Sequence, residues 1–251
     1  MEANRPIVLT IAGFDPSGGA GILADIKTFE QHKVYGMGIN TAITLQTADQ
    51  FISIYWESEK AILQSLGTIL EHYTISAVKI GIVENCSRLK NIVKAIHQKN
   101  KAIKIIIDPV IKSSSGFNFW NEALDVAQLA ELLSSSFLIT PNYEEAVQLL
   151  PAANAKLAAQ ELAQYCAVLL KGGHNAAEPG VDFLYQQQTC TSLLPISNTV
   201  TAKHGSGCVL SAAITANIAL GEDLLTACTN AKKYIEQFLS SNNTLLGYHH
   251  V

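Results

Sequence analysis

Short β-branched runs alternate with amphipathic helical stretches along nearly the whole chain, and this constrains the fold more than any other feature. Strands separated by helices cannot pair as hairpins. They run parallel and need crossover helices on the faces of one sheet. The pattern predicts strands over 6–12, 38–45, 77–81, 103–108, 137–140, 167–171, 181–185 and 189–194. Helices are expected over 21–32, 58–72, 87–98, 122–133, 143–149, 155–165, 207–220 and 224–240. The strands expected at 103–107 and 168–170 read as apolar runs, as strands covered on both faces should. The last two strands follow one another directly, which predicts an antiparallel hairpin late in an α/β fold with a mostly parallel central sheet. No linker or repeat interrupts the pattern, and 251 residues, 48% hydrophobic, suffice for one large domain over 1–251.

Charge and cysteines narrow the function. A net charge of -4 without a basic cluster lacks the electrostatic footprint for nucleic acid or an anionic membrane surface, leaving a small molecule as the expected partner. Five widely spaced cysteines, with no C-x-x-C pair, argue against a disulfide framework and a thiolate zinc site, and predict a reducing cytoplasm. The N-terminus leads into only six strand-like apolar residues, unlike a signal peptide, and no later segment approaches 18 uninterrupted apolar residues.

In an open α/β sheet ligands bind beyond the carboxyl ends of the strands. Asp15, Gln46, Asp108, Asn142 and Lys171 are all expected there. The richest segment is His204-Gly205-Ser206-Gly207-Cys208, ahead of a helix expected to open at Gly207. Its glycines let the backbone approach an anion, and the helix aims unpaired N–H groups and a positive dipole end into the same space. That field is expected to lower the Cys208 thiol from about 8.5 and keep a thiolate available. A glycine turn with a buried cysteine would have the same sequence.

The other motifs have structural as well as chemical explanations. Gly19-Ala20-Gly21-Ile22-Leu23-Ala24 fits G-x-G-x-x-A, but the glycines lie well past the strand and no acidic residue closes the second strand. The loop also lacks the G-K-[ST] ending of a P-loop, and what remains is a glycine-lined pocket beside Asp25. Asp108 after an apolar strand suits a magnesium or phosphate site, or a helix cap. Asn142 with Glu145 is also the spacing of a capping box. Lys171 before Gly172-Gly173-His174 suits a phosphate charge, or a surface turn. At one edge, a lysine, carboxylates and an amide-lined anion hole are the parts that phosphoryl transfer needs.

These residues carry a resemblance that runs nearly end to end. Ile11-Ala12-Gly13, Asp15-Pro16-Ser17-Gly18-Gly19-Ala20-Gly21-Ile22, Ala24-Asp25-Ile26-Lys27, Gln46-Thr47, Val78-Lys79-Ile80-Gly81, Asp108-Pro109-Val110, Thr140-Pro141-Asn142, Lys171-Gly172-Gly173-His174 and His204 to Cys208 are similar to the hydroxymethylpyrimidine/phosphomethylpyrimidine kinases of thiamine biosynthesis. The resemblance implies a ribokinase-like three-layer sandwich and an ATP- and Mg²⁺-dependent kinase acting on an aminopyrimidine, commonly as a homodimer. It implies substrate contacts from Gly13, Asp25, Gln46, Ile82 and Val110, and nucleotide contacts from Asp108, Asn142, Lys171, Gly173 and His204. Cys208 with Gly205, Ser206 and Gly207 would be catalytic, and Asp108, Asn142 and Glu145 would organise magnesium.

The chain departs from the family pattern at the substrate wall and its lid. Phe14 replaces a usual serine, Ile82 a usual methionine, and Phe117-Asn118 follows Ser115-Gly116 where Gly-Asp is common. A pyridoxine or pyridoxal kinase is therefore the alternative expectation. A non-catalytic pyrimidine- or nucleotide-binding protein is the second, set against Cys208, Lys171 and Asn142 all being present.

Overall fold

The computed structural model describes residues 5–112, 117–120, 126–173, 175, 177–196 and 200–249. In chain order the elements are β1 (Ile7–Phe14), α1 (Gly21–Gln31), β2 (Tyr35–Gln46), β3 (Phe51–Trp56), α2 (Glu59–His72), β4 (Ile75–Ile80) and α3 (Cys86–Lys99). There follow β5 (Lys104–Ile107), α4 (Val126–Ser134), β6 (Leu138–Ile139), α5 (Tyr143–Leu149), α6 (Ala155–Leu162), β7 (Ala167–Leu170), β8 (Asp182–Gln186), β9 (Thr189–Leu193), α7 (Ser206–Ala219) and α8 (Leu224–Leu239). The expected helix over 122–133 begins, within the described residues, at Val126.

The strands form one sheet in the order β3-β2-β1-β4-β5-β6-β7-β8-β9. Its centre, β2-β1-β4-β5-β6-β7, is parallel throughout, and both edges are antiparallel. The late hairpin is β8–β9, paired from Asp182↔Leu193 to Gln186↔Thr189. The sequence pattern missed β3. Its Phe51-Ile52-Ser53-Ile54-Tyr55-Trp56 run lies on an edge with neither face well covered, so it lacks the polar alternation of a half-buried strand.

Two apolar cores flank the sheet. Leu9, Ile11, Ile80, Ile105 and Ile107 pack with α2 to α6 on one face, while Val8, Ala77, Ile106, Leu138 and Leu169 pack with α1, α7 and α8 on the other. The alternation of Ile105, Ile106 and Ile107 between the two cores explains why this strand is apolar at successive positions. The result is the expected three-layer α/β arrangement. Helix α7 is buried at every residue from Val209 to Ile218, so its position and that of its N-terminus are set by packing on all sides. Among the described residues no helix is long and apolar enough to cross a membrane, and no two cysteines form a disulfide.

Helix starts differ in a way that marks the site. Helices α2, α3, α5, α6 and α8 begin with a side chain of Ser58, Asn85, Asn142, Asn154 or Asp223 accepting from the first turn. Helices α1 and α7 begin with no side-chain cap.

Candidate active site

The two uncapped helix starts meet beyond the carboxyl end of β1. Gly205 precedes α7 in the left-handed region at φ 74°, and a Cβ there would lie 2.0 Å from the Gly19 carbonyl oxygen. Gly21 opens α1 at φ 59°, and its Cβ would lie 2.1 Å from the Gly13 oxygen. Only glycine allows this backbone-on-backbone approach. The Gly21 amide favours the charged form of Cys208, which lies within the first turn of α7. Helix α7 starts one residue earlier than expected, at Ser206. The Ser206 N–H has only a long bond, 3.4 Å to the Lys203 oxygen, and the amides of Gly205, Gly207 and Cys208 have no acceptor among the described residues. The open donors thus include the amide of Cys208 itself.

Two sets of bonds hold this loop. Asp15 accepts from the Ser17 and Ala20 N–H groups and the Ser17 hydroxyl, and lies 2.8 Å from His204 Nε2. Burial opposes its charge, but the bonds from His204, Ser17 and Ala20 outweigh that and hold the carboxyl below its ordinary value. From the other side, buried Lys203 donates to the Asn242 and Thr244 carbonyls, the latter at 2.8 Å, and the His204 N–H donates to the Leu245 oxygen at 2.8 Å. Leu246 packs against Gly19. The His204 ring, expected at the nucleotide, is therefore bound to Asp15 through Nε2, while its buried Nδ1 has no partner among the described residues.

Asp108, 1% exposed after β5, accepts from Lys171 Nζ at 2.7 Å and from the hydroxyls of Thr140 at 3.1 Å and Ser211 at 3.3 Å. Burial disfavours its charge, but Lys171 and Lys79 hold the carboxyl below its usual range. Lys171 also lies 3.8 Å from Glu145. A Cβ on Gly207 would stand 3.3 Å from Lys171 Nζ and 3.7 Å from Asp108 Oδ2, so the open amides of α7 abut this pair directly.

Asn142 and Glu145 form a complete capping box, with both bonds at 2.8 Å. Asn142 Oδ1 and Glu145 Oε2 are thereby committed locally. Among the described residues no three His, Cys, Asp or Glu side chains converge as a resident metal centre. Hard oxygen donors remain at Asp108 and Glu145, a set suited to Mg²⁺ carried in on phosphates and not to a closed protein cage.

Burial raises the Glu145 carboxyl to about 7 against the opposing charge of Lys171, with Asp108 adding to the rise. A carboxyl raised on folding contributes stability that is present below its ordinary 4.5 and lost as the pH climbs through about 7. Glu145→Gln keeps a capping-box side chain and removes the titration. Urea unfolding is expected to show the variant gaining about 2–3 kcal/mol on wild type between pH 4.5 and pH 8; a difference that stays flat with pH would refute this.

Two expectations need correction. Asp25 does not offer its carboxylate to a pyrimidine: it is fully buried, takes both oxygens to Lys79 Nζ at 2.9 and 2.8 Å, and accepts from the Thr10 hydroxyl at 2.5 Å. Burial disfavours the Lys79 charge, yet Asp25, with Cys208 and Asp108, outweighs it and holds the ammonium above its ordinary range. The surroundings of half-buried Cys208 favour the thiol over the expected thiolate. Burial pushes its thiol up to about 11, with Asp25 and Asp108 adding to the rise and Lys79 and the Gly21 amide opposing it. Desolvation exceeds the helix field that was expected to decide the matter.

On the substrate side Ile82 rests on Gly13, where a Cβ would come within 2.4 Å of its Cδ1. The Ile82 carbonyl accepts from Thr41 at 2.7 Å. Gln46, half-buried at the end of β2, donates from Nε2 to Thr44 Oγ1 at 2.9 Å. Val110 is half-buried in a tight turn after Asp108. Phe14 is 38% exposed, and Phe117 stacks on Phe51 with ring centroids 4.6 Å apart. Gly173 lies beyond Gly172, whose N–H donates to Asp182 at 2.7 Å, and a Cβ on Gly173 would meet nothing. His174, Ser115 and Gly116 lie outside the described residues. Lys79 is the participant that the motif reading passed over. Its signal was a charge between Val78 and Ile80 in the buried part of strand β4, which has to find a partner.

A family model for phosphomethylpyrimidine kinase matches residues 15–251. The chain belongs to the phosphomethylpyrimidine kinase family. A hydroxymethylpyrimidine/phosphomethylpyrimidine kinase of Aquifex aeolicus is 33% identical over 95% of this chain and 96% of that protein. Among solved structures, a phosphomethylpyrimidine kinase of Clostridium difficile superposes with a TM-score of 0.77 at 33% identity, covering 92% of this chain and 98% of that one. A pyridoxal kinase of Staphylococcus aureus in complex with pyridoxal gives a TM-score of 0.81 at 28% identity, covering 94% and 88%, and is also known in complex with ADP and AMP-PCP.

Proposed function

We propose that this chain is a kinase that moves the γ-phosphate of ATP onto the hydroxymethyl group of 4-amino-5-hydroxymethyl-2-methylpyrimidine, and then phosphorylates the monophosphate to the pyrophosphate. The observation that carries the chemistry is the meeting of the open amides of α7 with the Lys171–Asp108 pair at Gly207. Phosphoryl transfer is catalysed mainly by positioning and charge neutralisation, and these groups supply both without reorganising. Lys171 would neutralise nucleotide phosphate, with the Lys171–Gly173 turn and the Asn142 region flanking it. Asp108 and Glu145 would hold Mg²⁺ brought with the nucleotide, and that ion would offset phosphate charge. The amides of Gly205, Gly207 and Cys208 would take the oxygens of the transferred group. Gln46, with Gly13, Ile82 and Val110, would line the pyrimidine pocket.

Residues 1–251 would act as one kinase domain, as a homodimer in the reducing cytoplasm, in keeping with cysteines that form no disulfide among the described residues. A vitamin B6 kinase is the second reading, favoured by the likeness to the staphylococcal pyridoxal kinase. The higher identity to pyrimidine kinases over nearly the full length supports the first. In a coupled ADP assay kcat/KM for the hydroxymethylpyrimidine is expected to exceed that for pyridoxine by at least about tenfold, the scale on which one mismatched polar contact acts. Equal or reversed preference would move the protein to the vitamin B6 reading.

A further inference from the structure

We propose that Thr44 fixes which end of the Gln46 amide faces the substrate, and thereby makes the pocket select an amino group over a carbonyl. This rests on the pyrimidine reading above. Thr44 is 3% exposed on β2, and its hydroxyl carries one proton and two acceptor lone pairs. That proton goes to the Phe14 carbonyl at 3.0 Å. The pairing of Phe14 with Ile43 in the β1–β2 ladder keeps this acceptor within reach. Having given its proton away, Thr44 Oγ1 can only accept from Gln46, and it does so from Nε2 at 2.9 Å.

Turning the amide over would bring Gln46 Oε1 against an oxygen with no proton to offer, leaving two acceptors face to face in a poorly solvated corner. Thr44 could serve the turned amide only by abandoning Phe14. The chain Phe14 C=O, Thr44 hydroxyl, Gln46 amide therefore has one sense. Gln46 Oε1, which makes no hydrogen bond among the described residues, is left as a pure acceptor at the end of β2, where Gln46 pairs with Phe51 of β3. An amino group next to the reacting hydroxymethyl can donate to it. A carbonyl at the same ring position cannot.

The test compares the 4-amino pyrimidine with its 4-oxo analogue, measuring kcat/KM by ADP release and binding by calorimetry. Wild type is expected to prefer the amino compound by about 10³-fold or more, as sites built around one polar contact do. Thr44→Val removes the acceptor that orients the amide and should collapse the preference to within about tenfold, while Thr44→Ser should retain it. Gln46→Glu presents only acceptors. In the Thr44→Val background it should restore the amino preference, a rescue that a purely structural role for Thr44 would not give. Should Thr44→Val fail to fold, Thr44→Ala removes the same acceptor and must collapse the preference likewise. Preference that survives Thr44→Val, or that Gln46→Glu fails to restore in that background, overturns this proposal alone. A wild type that binds neither pyrimidine overturns the substrate reading and this proposal with it.

Discussion

Cys208→Ala is expected to lower kcat/KM for the neutral alcohol acceptor by about 10²–10⁴ while changing the monophosphate acceptor far less, the range being that of general-base catalysis. The alcohol must lose a proton as it attacks, whereas a phosphate monoester carries about -1.5 to -2 charge near neutral pH and can attack as it stands. The amides of Gly205 and Gly207 survive the substitution. With the thiol pushed up to about 11, most molecules hold Cys208 protonated at neutral pH, and the reactive thiolate fraction grows about tenfold per pH unit up to that value. The alcohol step should accordingly climb with pH in wild type. In Cys208→Asp, whose carboxylate is an ionised base across that range, it should be recovered in part and lose the slope. Single-turnover kinetics with each acceptor from pH 7 to pH 10 decides the matter. Equal losses in both steps, or a flat wild-type profile, would mean that Cys208 shapes the anion hole and takes no proton.

The second large effect is on stability. Asp25→Ala should cost about 3–5 kcal/mol, because it strands the Lys79 ammonium in the core without its partner. Both side chains are wholly buried, so water cannot replace the lost bonds. Asp25→Leu combined with Lys79→Met removes both charges and should regain most of the loss, since apolar replacement of a buried ion pair is often close to neutral. Urea unfolding of the single and double variants measures this. Any folded Asp25 variant should keep a KM for the pyrimidine near that of wild type. A stable Asp25→Ala protein with a greatly raised KM would return Asp25 to the substrate pocket.

What was legible in the sequence follows the range of the interactions. The Asn142–Glu145 capping box is closed by residues three apart, and it formed as its spacing predicts. The order of strands and helices was legible because β-branched runs and helical periodicity are also local signals. Strand β3 escaped because an edge strand with two thinly covered faces has no alternation to display. Asp25 and Lys79 are 54 positions apart, and no local pattern says that β4 carries the lysine beneath α1. The sign of the Cys208 shift was missed for a related reason. A helix start is visible in the sequence, but the desolvation that outweighs it, and the neighbouring charges of Asp25 and Asp108, are properties of the packed structure alone.

The bonds from Lys203 and His204 to the Asn242, Thr244 and Leu245 carbonyls also bear on the order in which the chain is made. Synthesis proceeds from the N-terminus and domains acquire structure as they emerge, so Gly205 to Cys208 leave the ribosome before the residues that brace them. Every side chain assigned to the chemistry is present by then, but the loop that aims the amides is held only from the Asp15 side. A molecule nicked after Ser240 is in the same condition. Such incomplete chains would keep their glycine loop, lysine and cysteine while lacking the backbone acceptors of Lys203 and His204, so on the proposed role of Gly205 to Cys208 the capacity to spend nucleotide is expected to arrive with the brace and leave with it.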